Sequence, residues 1–284
     1  MNQDDVSAYH LFYADGKGSP GTDITFFDWP AMRERRGTGS VVRTAVRVRS
    51  EASLHYWSER LAALGVPVRE VIERDGRASL DFEDAEGQRL SMVVDSGVGE
   101  SNPWQRSTVP IEHQILGLGP VTISVPELAP TQRVLEDLLG MRLLRQYSTP
   151  VSDRRAGAVP AHVFTMGPGG ASAELHVVVE ASLPQARQGA GAVHHVAFRV
   201  PTFAEYDQWD ERFREYGVRS SGPIDRFYFR SLYFREQSGI LFELATDEPG
   251  FATDESMETL GESLSLPSFL EGRRTQIEAG LKEL

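Results

Sequence analysis

Residues 39–95 and 191–247 of the 284-residue chain are two copies of one unit in gapless register. Gly39-Ser-Val-Val-Arg-Thr-Ala-Val-Arg-Val lies on Gly191-Ala-Val-His-His-Val-Ala-Phe-Arg-Val, and Trp57, Gly65, Gly87 and Asp95 fall on Trp209, Gly217, Gly239 and Asp247. The copies share 18 identities over 57 aligned positions, which marks a duplication. Such a unit cannot bury its sheet face alone and must stack on another. The copies differ at telling places: His195 falls on Arg43, Glu243 on Ser91 and Tyr233 on Asp81. A fold kept with Arg43 and Ser91 does not need an imidazole and a carboxylate at those positions, so His195 and Glu243 read as functional.

Each copy reads strand, helix, then strands. In the second, Val193–Val200 is an apolar strand run, and Phe203, Tyr206, Trp209, Phe213 and Tyr216 have helical spacing up to Gly217. Strands are expected at Arg226–Phe234 and Ile240–Thr246. The first copy repeats this with Val41–Val48, a helix near Ser53–Leu64, and strands near Ala78–Phe82 and Arg89–Val94. A diverged unit lies between them, with strands at Val121–Val125, Ala161–Met166 and Ala173–Val179 and a helix at Pro130–Leu139. There Pro120 takes the place of His195, and His176 that of Glu243. Two N-terminal strands, Ala8–Ala14 and Asp23–Asp28, read as the end of a further unit whose opening strand and helix, about 45 residues, would precede Met1. The turn between them, Asp15-Gly-Lys-Gly-Ser-Pro-Gly-Thr, lacks phosphate-loop spacing and reads as a hairpin.

The predicted organisation is a remnant of a first unit at 1–30, units at 39–96, 117–181 and 191–250, and a helical tail at 251–284 with spacing at Phe269, Ile277 and Leu281. Residues 30–38 and 97–115 read as linkers. The fold class is α+β: repeated βαβββ modules paired into curved mixed sheets, helices outside and a cavity inside. Val196, Phe198 and Val200 share one strand face, and Phe242 and Leu244 another. His195 and Glu243 then project from the opposite, concave faces. A regular strand would turn His194 away from His195.

A net charge of −12 argues against a nucleic-acid partner. No run of 18 apolar residues suggests a membrane span. Zero cysteines exclude thiolate ligands, disulfides and a cysteine nucleophile. The polar, acidic N-terminus lacks a signal region, so the cytoplasm is the expected compartment.

One imidazole and one carboxylate on neighbouring strands are two-thirds of a facial triad, the donor set that suits Fe(II) and leaves positions free for substrate and oxygen. Mn(II), Zn or Ni could use it too. The plainer reading of His195 and Glu243 is a core histidine satisfied by an acid. His194 reads as a group that holds a ligand in place, an acid/base, or a buried strand histidine. Tyr233 is specific to the site-bearing copy, whereas Arg226 has a counterpart in Arg74 and could be structural. His10 and Phe12 would line the same cavity if Leu11–Asp15 lies on Leu232–Glu236, although His10 could equally be a strand histidine bonded to backbone. His55, His113 and His162 show no partners.

Several stretches together resemble a known family: Tyr-His-Leu-Phe-Tyr-Ala-Asp (9–15), Gly-Ser-Pro-Gly-Thr-Asp-Ile-Thr-Phe-Phe-Asp-Trp-Pro (18–30), Val-His-His-Val-Ala-Phe-Arg-Val (193–200), Asp-Arg-Phe-Tyr-Phe-Arg-Ser-Leu-Tyr-Phe-Arg-Glu (225–236), Gly-Ile-Leu-Phe-Glu-Leu-Ala-Thr-Asp-Glu-Pro-Gly-Phe (239–251) and the tail Leu-Pro-Ser-Phe-Leu-Glu (266–271). The chain resembles the vicinal oxygen chelate (glyoxalase/extradiol dioxygenase) superfamily, on its ring-cleaving, hydroquinone-type dioxygenase branch. The resemblance implies that modules one and four pack around Fe(II), with His195 and Glu243 as ligands and His194, Arg226 and Tyr233 lining the site. The family's further histidine ligand would lie upstream of Met1. It implies cleavage of a hydroquinone or catechol-like phenol by O2, with a small aromatic substrate and possible homo-oligomers. A metal-free aromatic-binding protein and a glyoxalase-type lyase are the other functions this scaffold supports.

Overall fold

The computed structural model describes residues 2–95, 102–152 and 157–283. Part of the predicted 97–115 linker therefore lies outside the described residues. An N-terminal hairpin, β1 (His10–Tyr13) and β2 (Ile24–Phe27), precedes the first copy. That copy holds β3 (Ser40–Val48), α1 (Glu51–Ala63), β4 (Ile72–Arg74), β5 (Arg77–Glu83) and β6 (Arg89–Val94). The middle unit holds β7 (Gly117–Val125), α2 (Leu128–Arg133, continued by a π turn at Val134–Leu138), β8 (Arg142–Pro150), β9 (Ala158–Thr165) and β10 (Glu174–Val179). The second copy holds β11 (Val196–Val200), α3 (Phe203–Glu215), β12 (Ile224–Asp225), β13 (Arg230–Arg235) and β14 (Leu241–Thr246), and α4 (Arg274–Gly280) ends the chain.

Local sequence explains the helix limits. Ser50 and Thr202 occupy equivalent positions, and each accepts from the backbone N–H three residues on, capping α1 and α3. Gly65 and Gly217 follow the two helices at positive φ, 75° and 65°.

The strands form one eight-stranded sheet in the order β4-β5-β6-β3-β7-β10-β9-β8 and a four-stranded sheet in the order β11-β14-β13-β12. The β3–β7 pairing joins the first copy to the middle unit. The parallel pairs align the three units residue by residue: Ala45 faces Ser91, Thr122 faces His176, and Ala197 faces Glu243. Helices α2 and α3 each cover one face of their own sheet and pack against each other. Leu135 and Leu138 share one core with Tyr206, Phe213, Phe234 and Phe242, and Arg212 clamps the carbonyls of Asp137 and Leu138.

The duplication also builds a local two-fold relation. Arg35 and Arg187 are equivalent residues, 152 positions apart, and they exchange both backbone hydrogen bonds, at 3.0 and 2.9 Å. The equivalent glycines flank this pair. A Cβ on Gly37 would sit 2.0 Å from the carbonyl oxygen of Pro184, and one on Gly189 would sit 2.1 Å from that of Met32. Only glycine lets the two backbones approach this closely. Residues 32–38, expected to be a linker, are thus half of a reciprocal contact.

Other expectations change. β8 and the short β4 were not foreseen. The strand expected at Arg226–Phe234 is interrupted: residues 226–229 form a turn with Phe227 at φ 74°, so Arg226 leaves the sheet. Phe269 is exposed, and the tail instead packs Leu266, Leu270 and Ile277 near Val6. His113 has partners after all: its Nδ1 lies 3.2 Å from the Ser53 hydroxyl and its ring stacks on Tyr56. Among the described residues no helix is long and apolar enough to cross a membrane.

Candidate active site

β11 begins at Val196, so His194 and His195 lie just before it, free of the strand's alternation. Both rings therefore fall on one side, contrary to the expectation for a regular strand, and their Nδ1 atoms are 2.8 Å apart. His195 Nε2 lies 2.9 Å from Glu243 Oε2. Glu243 is buried, held by its position in β14 between Phe242 and Leu244, which face the helix core. The Ser231 hydroxyl on β13 donates to its other oxygen. Tyr233 stands directly opposite Glu243 in the β13–β14 register, and its ring lies edge-on to His195 at 5.7 Å.

The electrostatics follow from this packing. Burial alone would raise the Glu243 carboxyl, but His195, Ser231 and Tyr233 hold it below its ordinary value. Burial, with the Glu243 charge nearby, pushes the Tyr233 phenol up to about 12, so it is a neutral donor. Burial and the neighbouring His195 lower His194 to about 4. A neutral His194 can accept the Nδ1–H of His195, which fixes the ring with Nε2 toward Glu243.

His10 comes in from β1. Burial first, then His195, lower it to about 3, and its Nε2 is buried with no hydrogen-bond partner. Its ring packs between Phe12 and Phe27, at 4.1 and 4.3 Å. Phe12 contacts Phe251. The structure thus brings His10, His194, His195, Tyr233 and Glu243 together, with Phe12 one ring further out. Arg226 lies with its guanidinium 5.6 Å from the Tyr233 ring centre and pairs with Asp4 at 2.8 Å. Sequence reasoning missed Phe27 and Trp29, which stack on each other and meet His194 edge-on. It also missed the role of Ser231. The even spacing of His10, Phe12, Phe27 and Trp29 on a hairpin was the available signal for an aromatic wall.

The residues present fit a divalent metal. Two donors on one ion at ~2.1 Å and at right angles stand about 3 Å apart, close to the observed His195–Glu243 separation. A second imidazole, His10, has an unspent buried nitrogen within the electrostatic reach of both. A second group, Asp75, Glu174 and His176, also gathers its donor atoms within 4.8 Å. There, however, Arg77 grips Glu174 through two hydrogen bonds and Arg145 bonds both carboxylates. A dication would have to displace two guanidinium groups.

With this geometry in hand, known proteins are informative. Residues 117–244 match the Glyoxalase/Bleomycin resistance protein/Dioxygenase superfamily. The chain is 43% identical to "Putative ring-cleaving dioxygenase MhqA" of Bacillus subtilis, over 100% of this chain and 89% of that protein. The chain belongs to the glyoxalase/dioxygenase superfamily. It is also 29% identical to the chlorohydroquinone/hydroquinone 1,2-dioxygenase of Sphingobium indicum, over 95% of this chain and 82% of that protein. A solved structure described as a putative dioxygenase from Bacillus subtilis superposes with a TM-score of 0.88 at 34% identity, covering 100% of this chain and 87% of the other. Maize glyoxalase I, at 15% identity and TM-score 0.60 over 87% of this chain and 82% of the other, shares the fold alone.

Proposed function

We propose that the chain is a metal-dependent dioxygenase that opens the ring of a hydroquinone or catechol-like phenol with O2. The observation that carries this is the His195–Glu243 pair, set 2.9 Å apart in the site-bearing copy and bordered by an aromatic wall. The ring-cleaving relatives support it. Fe(II), held by His195 and Glu243, would supply adjacent coordination positions for a phenolic oxygen and O2 and an electron path between them. The protein's own groups do the rest. Phe12, Phe27 and Trp29 offer flat apolar surface to a ring and exclude water. The unspent Nε2 of His10 accepts the hydrogen bond of a phenolic hydroxyl. Tyr233 keeps its proton at neutral pH and delivers it from the phenol oxygen to developing negative charge. His194 holds the His195 ring, and Ser231 holds Glu243.

The test is oxygen uptake by protein purified anaerobically and loaded with Fe(II), across a panel of hydroquinones and catechols. Uptake that is lost in His195→Ala supports the assignment. No uptake with any of them contradicts it, and oxygen-independent turnover requiring a thiol would move the chain to the lyases.

A further inference from the structure

The first copy and the middle unit line an open cavity of about 30 Å³ at strand positions equivalent to those of the candidate active site. Its walls carry Arg43, Arg74, Ser91, Thr122 and His176. Arg43 stands where the other copy has His195, and Ser91 where it has Glu243, so a donor pair for a cation is replaced by a guanidinium and a hydroxyl. Most charges around the cavity are matched. Arg74 grips Asp81 through two hydrogen bonds at 2.9 and 2.6 Å. Arg77 and Arg145 satisfy Glu174 and Asp75. The Tyr147 hydroxyl meets His176 Nδ1 at 2.9 Å.

Arg43 is the exception. Among the described residues its side chain donates no hydrogen bond, and its one ion pair, 3.5 Å to Asp81, is to a carboxylate that Arg74 already occupies. Asp81 therefore faces two guanidinium groups, which leaves the cavity one positive charge in excess. Burial, only partly offset by Asp81 and reinforced by Arg74, pushes the Arg43 guanidinium below its ordinary value. The Nε of Arg74 is likewise buried without an acceptor. Arg43 is half-buried, its side chain 23% exposed, and its N–H groups lack a protein acceptor among the described residues while lining the cavity, so the site favours an anionic acceptor that fits. The cavity suits an acceptor of a few heavy atoms.

We propose that this cavity binds a small monoanion, a short carboxylate or a halide, against Arg43 and the Thr122 hydroxyl. The duplication would then have produced one pocket for a cation and one for an anion from the same strands.

The test is calorimetric titration of the full chain, chelated so that no metal at the other site takes up the anion. Formate is the probe, and chloride is added in a competing arm at constant ionic strength. Saturable formate binding is expected, weakened about tenfold or more in Arg43→Met, which removes the charged donor. Ser91→Asp should abolish binding by supplying an internal carboxylate, and it keeps the test valid if Arg43→Met does not fold. Glu243→Gln should retain binding. Competition by chloride would identify a general monoanion site, and silent chloride a carboxylate site; both support the proposal. Absence of saturable binding by either anion, or binding undiminished in Ser91→Asp, would overturn it.

Discussion

The positions that carry His195, Tyr233, Glu243 and Arg226 in one copy carry Arg43, Asp81, Ser91 and Arg74 in the other, and Tyr233 faces Glu243 in the ladder as Asp81 faces Ser91. In the first copy the four close into an ion-pair cluster. Burial would raise Asp81, but Arg74 and then Arg43 hold it down to about 2. In the second copy the acid has moved across the ladder, from the Asp81 position to that of Glu243. The arginine has lost its acid partner within the unit and lies over a tyrosine ring instead. One backbone thus supports a cluster of arginines and acids with one guanidinium to spare and a cluster with an unspent imidazole beside it. The lesson is that the scaffold sets directions while side-chain exchange across one strand pair decides which kind of group is left for a ligand.

The largest expected effect breaks this contrast directly. His195→Ala or Glu243→Ala should lower oxygen uptake by about 10³-fold or more, because the metal is lost. Arg43→Met should leave uptake within about twofold, as no metal ligand changes. Steady-state rates on Fe(II)-loaded protein would show this.

Next is the exchange of Asp81 for Tyr233. Asp81→Ala strands two buried guanidinium groups and should cost about 3–5 kcal/mol in denaturant unfolding. Tyr233→Phe removes one hydroxyl and should cost only about 1–2 kcal/mol, while lowering turnover about 10²-fold. Equal stability losses would contradict the division of roles.

His194→Ala should weaken metal binding by about 10–100-fold, with less effect on folding, since it acts by holding the His195 ring. Competitive chelator titration measures it.

The smallest effect concerns the hairpin turn beside both halves, where Leu118 N–H donates to the Gly21 carbonyl and Arg199 packs on Gly21. Burial, and then Asp15, push the nearby Asp23 carboxyl up to about 7. A raised folded value means that the folded state binds the extra proton. Stability from this group is present below the ordinary carboxylate range and is lost as pH rises to about 7. Asp23→Asn should therefore raise Tm by about 2–4 °C at pH 8 and leave it unchanged near pH 4.

Much of this was legible because the duplication is itself a structural measurement. The 152-residue offset that set His195 on Arg43 and Glu243 on Ser91 is the offset by which the ladders align. What escaped notice depended on tertiary partners. β8 is largely polar and exposed, and pairing with β9 alone defines it. The side on which His194 lies follows from the strand beginning one residue after His195, which no local propensity reports. The departure of Arg226 from the sheet turns on a positive φ at Phe227, a residue that gives no such signal. The positive excess around Arg43 needed the distances among four arginines and three acids far apart in the chain.

The central claim is that the second copy alone holds a metal. Titrating Mn(II) into chelator-treated protein, followed by electron paramagnetic resonance, tests it most directly. One ion per chain is predicted, lost in His195→Ala and retained in Glu174→Gln. Binding that survives in His195→Ala and disappears in Glu174→Gln would place the metal in the other cavity and contradict the account.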